Sequence, residues 1–175
     1  MKKIMLILIS VVMLFTACDK SSPKPIDPAE EFNGVLFGMT KEEVINVLGR
    51  QPDDASNKYN DSITYKNEIY FGINNTDISY FFADDGGLKG IIFHFYLSES
   101  TQDGNPIDLD LIKKELLKLY PEETFTYVKD EENRFSFQTD ARVISLKYDD
   151  FLDYISVTIG DIGTIQAAID QFTTT

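Results

Sequence analysis

Apolar and polar positions follow two periods along this chain, and the switches between them mark its elements. Near residue 40 the period is helical, with Val44, Val47 and Leu48 at i, i+3 and i+4. Thr40 stands just ahead of them and Glu43 three residues later, which is the spacing of a capping box. Gly49 and Pro52 then stop any continuation, so the spacing predicts a helix from Lys41 to about Leu48. A second helical stripe, Leu109, Ile112, Leu116 and Leu119, predicts a helix over Leu109–Leu119. Asp108 or Asp110 would cap it, and Pro121 ends it.

Elsewhere the period is two. Ile63-Thr64-Tyr65 and Ile69-Tyr70-Phe71 read as short strands and Ile78–Phe82 as a stronger one. Asp84-Asp85-Gly86-Gly87 is a turn leading into the longest strand, Leu88–Leu97. That strand places Ile91, Phe93 and Phe95 on one face and Ile92, His94 and Tyr96 on the other. Beyond the second helix, Phe125–Lys129, Arg134–Thr139, Val143–Tyr148 and Tyr154–Ile159 read as a meander joined by short acidic turns. Ile162–Phe172 reads as a terminal helix. The halves rhyme: each is a helix closed by proline and followed by strands, and Pro52/Pro121 and Leu48/Leu117 recur at one spacing. The fold class expected is therefore α+β, with two helix-plus-antiparallel-strand units in tandem over residues 32–97 and 98–172.

The first residues obey neither period. Lys2 and Lys3 precede an apolar run from Ile4 to Phe15 broken only by Ser10, and Thr16-Ala17 follow as small residues. Residues 1–17 read as a secretory signal peptide. Ile4 to Ala17 is too short for a membrane-spanning helix, which takes roughly 20 residues. Cys18, the chain's single cysteine, follows directly. Phe15-Thr16-Ala17-Cys18 resembles the lipobox of bacterial lipoproteins, with Phe15 where those proteins usually carry leucine. The resemblance implies that the Cys18 thiolate takes up a diacylglycerol and becomes the first residue of the mature chain. Residues 18–31 contain three prolines and two serines among them and read as a flexible, solvated tether.

A second resemblance lies in the folded part. Phe37-Gly38-Met39-Thr40-Lys41-Glu42-Glu43-Val44, then Leu48-Gly49 and Pro52, then Ile78–Phe82, Asp85-Gly86 and Leu88–Phe95, together resemble the SmpA/OmlA (BamE-like) family of lipoproteins. Gln51 is an extra residue before Pro52 relative to that pattern, and nothing after Ser98 falls within the match. A tandem of such units is similar to the beta-lactamase inhibitor protein fold. Both resemblances imply work by binding other proteins.

Charge and composition narrow the function further. The formal net charge is −13, and losing Lys2 and Lys3 would make it more negative still. Such a surface excludes nucleic acid as a partner and disfavours direct adhesion to anionic lipid. With Cys18 acylated no thiol remains for disulfides, so stability must come from an aromatic core of Phe and Tyr.

Candidate chemistry is sparse. His94 is the only histidine, so a zinc site lacks ligands and a Ser-His-Asp relay has no nucleophile placed by sequence. The acidic groups Asp84-Asp85, Asp108/Asp110, Asp130-Glu131-Glu132 and Asp149-Asp150 with Asp153 fall at turns and helix starts. Asp103-Gly104-Asn105 lacks the glycine and bidentate glutamate of a calcium loop. Tyr65, Tyr70, Tyr80 and Tyr96 could face a sugar, although strand alternation sends part of any such set into the core. Asp61-Ser62-Ile63 resembles an O-glycosylation acceptor, with Ser62 as the modified residue.

The expected protein has no catalytic residues, metal or cofactor. It is a lipoprotein of the bacterial cell envelope, held at the outer membrane through lipid on Cys18, acting as a protein-binding or scaffold module. A small-ligand or calcium-binding lipoprotein is the alternative, and a hydrolase ranks third.

Overall fold

A computed structural model describes residues 32–55, 61–99 and 101–162. The signal peptide, Cys18 and the tether lie outside those residues, as does the expected terminal helix after Ile162. The element order is α1 (Lys41–Leu48), β1 (Ser62–Tyr70), β2 (Ile73–Phe82), β3 (Leu88–Tyr96), α2 (Leu109–Leu119), a 3-10 turn (Glu122–Thr124), β4 (Tyr127–Glu131), β5 (Arg134–Gln138), β6 (Arg142–Asp149) and β7 (Tyr154–Asp161).

All seven strands join one antiparallel sheet in the order β1-β2-β3-β7-β6-β5-β4. This corrects the expectation of two helix-plus-strand units in tandem. Among the described residues the fold is one sheet with two short helices, and its first half supplies three strands rather than four. The physical reason is the β3–β7 pairing, which runs without a break from Gly90↔Gly160 to Tyr96↔Tyr154. Two separate units would each leave a long edge of unpaired backbone groups there. Joining them satisfies those groups and buries Phe93, Phe95, Ile155 and Val157 in one core.

Local chemistry explains the elements. Thr40 accepts from the Glu43 N–H (3.3 Å), and the Glu43 carboxylate accepts from the Thr40 N–H (2.8 Å), closing the capping box. Donation from Thr40 keeps the Glu43 carboxyl below its ordinary pKa. Gly49 ends α1 in the left-handed region (φ 69°). In α2, Asp108 accepts from the Leu111 N–H (2.7 Å).

The two strands expected at Ile63–Tyr65 and Ile69–Phe71 are a single strand, β1, interrupted by register shifts against β2. Asn67 sits there at φ 57°, which breaks the alternation without ending the strand. Phe71 and Gly72, both at positive φ, form the two-residue connection between Tyr70 and Ile73 that a primed hairpin turn requires. β2 therefore begins five residues before Ile78.

Both helices lie on one face of the sheet. Val44 of α1 and Ile112 and Leu116 of α2 join a single core with Tyr65, Ile78, Tyr80, Ile91, Phe93, Ile144, Leu146 and Val157. Lys41 sits over the Phe82 ring and Lys113 over the Phe135 ring, at 5.8 and 4.2 Å, each capping a core aromatic with its charged end. The described chain enters on this same side, where Phe32 stacks on Phe93 and meets Phe37 edge-on. No described helix is long and apolar enough to cross a membrane.

Candidate functional site: the face the helices leave open

Strand pairing sorts the remaining side chains onto the opposite face. Reading across neighbouring strands, one row runs Lys129, Ser136, Ser145, Thr158, Ile92, Ser79, Thr64. Its hydroxyls pair across strands, Ser136 with Ser145 at 3.0 Å and Thr64 with Ser79 at 2.9 Å. Thr158 is exposed although β7 is an interior strand, whereas Val157 and Ile159 beside it are fully buried on the helix side. Among the described residues the second face thus meets solvent at Thr158, whereas Ser79 in the same row and Ser62 beside it are only 8% and 6% exposed.

The next row runs Glu131, Arg134, Lys147, Ser156, His94, Asp77. It brings an aspartate, the only histidine and a serine onto three adjacent strands, a juxtaposition that no spacing in the sequence foretold. Their hydrogen bonds, however, run elsewhere. Asp77 accepts from the Tyr96 hydroxyl (2.9 Å) and from the Asn67 N–H (3.3 Å), while Ser156 donates to the Lys147 carbonyl (3.4 Å). His94 packs its ring 4.9 Å from that of Tyr154. The three therefore share a row but form no proton relay.

Burial lowers the His94 pKa, and the Asp77 carboxylate opposes that shift in part. The Tyr96 hydroxyl is pushed up to about 12, chiefly by burial and then by donating to Asp77. Tyr96 also meets Tyr154 edge-on at 6.4 Å, so this end of the open face is an aromatic ledge of His94, Tyr96 and Tyr154. Of the tyrosines proposed as a sugar platform, Tyr65 and Tyr80 point into the core, and Tyr70 stacks on Phe93. Only Tyr96 lies on the open face.

The ledge leads into the β6–β7 turn, Asp150-Phe151-Leu152-Asp153. Asp149 accepts from the N–H groups of Phe151 (3.2 Å) and Leu152 (3.1 Å), and the Asp153 carbonyl accepts from the Leu97 N–H (3.2 Å). The turn is thus fastened at both ends, yet Phe151 is 89% exposed and Leu152 55%. The sequence pattern puts both residues in a short acidic turn between Tyr148 and Tyr154, and nothing in it marks their side chains as held in solvent.

The other sequence candidates fall as follows. Ser62 opens β1 opposite Phe81 and is only 6% exposed, so its hydroxyl is largely covered in the folded chain. Among the described residues no group of three or more His, Cys, Asp or Glu side chains converges to hold a metal ion. Asp103-Gly104-Asn105 makes a turn closed by Thr101, which accepts from the N–H groups of Gly104 and Asn105. Asp85 likewise serves its own turn, accepting from the Gly87 N–H.

The two sheet edges differ. β1 is shielded by Asp53 and Asp54: the Thr64 carbonyl accepts from both of their N–H groups, and the Asp54 carbonyl accepts from Thr64. Asp53 also accepts from the Lys66 N–H and pairs with Arg50, which hold its carboxyl below the ordinary range. β4, by contrast, is exposed at every residue, and Lys129, Asp130 and Glu131 guard it by charge.

Comparison with protein-family models, with curated proteins and with solved structures finds no match to this chain.

Proposed function

We propose that this protein is a membrane-anchored envelope lipoprotein that binds a protein partner across the open face of its sheet. The observation that carries this reading is the exposure of Thr158 on an interior strand of an otherwise well-packed sheet. The helices cover one face of the seven-stranded sheet except at β4, and the other face offers its exposed part around Thr158 and Lys147 as a platform held by interior strands. Its hydroxyl row and aromatic ledge suit a recognition surface, where aromatic anchors supply energy and small polar groups adapt. The lipobox-like Phe15-Thr16-Ala17-Cys18 and the similarity of residues 37–95 to the SmpA/OmlA family support the same reading.

A flexible tether over residues 18–31 would reach at most roughly 50 Å, enough for the domain to turn its open face toward a partner.

Two measurements test the proposal. A clickable fatty acid fed to the host should label the wild-type protein and leave Cys18→Ser unlabelled. Photo-crosslinking residues placed at Ser145 and Thr158 on the open face should give protein adducts, while one at exposed Lys114 on α2 should not. Equal labelling of both variants defeats the anchor. Adducts from α2 alone, or from no position, defeat the platform.

A further inference from the structure

The β6–β7 tip carries a more specific inference, which rests on the protein-binding reading above. A phenylalanine left 89% exposed gains nothing for the fold, because its ring stays in water. Its backbone is nonetheless held in place. Asp149 fixes the amides of Phe151 and Leu152, Lys147 holds the other carboxylate oxygen of Asp149 at 3.9 Å, and Asp153 takes the left-handed conformation (φ 54°). Holding an apolar side chain outward on a fastened turn removes ordering cost from a later docking step.

We infer that the Phe151-Leu152 tip is the anchor of the interface, inserting into an apolar pocket on a partner protein whose rim is cationic. Charge selects this occupant. Asp149, Asp150 and Asp153 ring the tip, and Asp150 and Asp153 are exposed. An anionic lipid leaflet would repel all three, whereas lysines and arginines around a protein pocket would complement them. The tip also continues into the aromatic ledge, since Tyr154 follows it directly and pairs with Tyr96. A partner seated on Phe151 would thus reach Tyr154 and Tyr96 at the end of the open face.

The test uses the full, acylated chain in its host, with benzoylphenylalanine in place of Phe151. The expected result is a light-dependent protein adduct whose yield falls about fivefold or more when Asp150→Lys is added, as expected for a complementary charge at an interface. Excess wild-type protein should compete the adduct away, and Phe151→Ser protein should compete about tenfold less well, as for an interface hot spot. In parallel, protein beginning at Asp19, which lacks both the apolar run Ile4–Phe15 and Cys18, should not float with vesicles of phosphatidylcholine and phosphatidylglycerol. Flotation that Phe151→Ser abolishes would make lipid the occupant and overturn the inference. So would an adduct indifferent to Asp150→Lys, or equal competition by Phe151→Ser. Adducts from Thr158 with none from residue 151 would remove the anchor and leave the platform standing. No adduct from either removes both.

Discussion

The two faces of the sheet are built from the same strands, and neighbouring residues on each strand belong to opposite worlds. On β7, Val157 and Ile159 are fully buried, and Thr158 between them is exposed. On β3, Phe93 and Phe95 lie in the core, and His94 between them is partly buried beside Tyr154. Backbone pairing is identical for both faces, so pairing alone does not distinguish a structural surface from a presented one. What distinguishes them is the cover supplied by α1, α2 and the Phe32–Phe37 segment. The helix face therefore carries stability.

The largest test of that contrast is a pair of substitutions on adjoining central strands. Phe93→Ala removes a ring that stacks on Phe32, Tyr70 and Phe95. It should cost about 3–5 kcal/mol in urea unfolding. Thr158→Ala on the open face should stay within about 0.5 kcal/mol. Comparable losses would mean that the open face is packed after all.

A smaller effect sharpens the role of the cover. Thr40→Ala opens the capping box of α1 and should cost about 1 kcal/mol by the same measurement. Thr40→Ser should recover most of it, because the hydroxyl and not the methyl does the capping.

The open face has its own signature in pH. His94 titrates lower in the folded chain than in the unfolded one, so the unfolded state binds more protons as pH falls through the ordinary histidine value of about 6.5. Stability from this site is complete above that value and is lost as pH drops toward the folded pKa. Unfolding midpoints at pH 7.5 and 5.5 should show the loss in the wild type and a smaller one in His94→Gln. Carboxylates such as Asp53, also shifted down, act mainly below about pH 4.5, outside that window. An unchanged loss in His94→Gln would place the effect elsewhere.

The smallest expected change is at the tip. Phe151→Ser should leave the unfolding free energy within about 0.5 kcal/mol of wild type, because the ring makes no packed contact to lose. A substantial loss would turn the tip from an anchor into a structural part.

Much of this architecture could be read from local pattern. α2 runs from Leu109 to Leu119 as its apolar stripe requires, and the Thr40–Glu43 box, the Gly49 stop and the split of β3 into two faces are all as the residues dictate. Each depends on neighbours within four residues. The failures share the opposite character. The first half of β2, Asn74-Asn75-Thr76-Asp77, carries no apolar alternation and is a strand only because β1 and the Phe71-Gly72 turn hold it. β1 reads as two short strands because Asn67 mimics a break. On the open face, Asp77 gave no sign of meeting His94 and Tyr96, since these groups are distant in sequence and adjacent only through strand register.

Local residue pattern is enough to specify α1 and α2, their caps, most strands and the alternation that gives each strand a core side. The sequence also carries the cysteine-bearing N-terminus on which the anchoring proposal rests. Long-range packing settles that β7 lies beside β3, that one sheet replaces two tandem units, that α1 and α2 share a face, and that Phe151 stays exposed on a fastened turn. The reason is physical. Propensity and capping act through nearby atoms and leave a record in nearby residues. Backbone hydrogen bonds between strands are chemically alike for every partner, so strand order is set by which closure buries the most apolar surface at once.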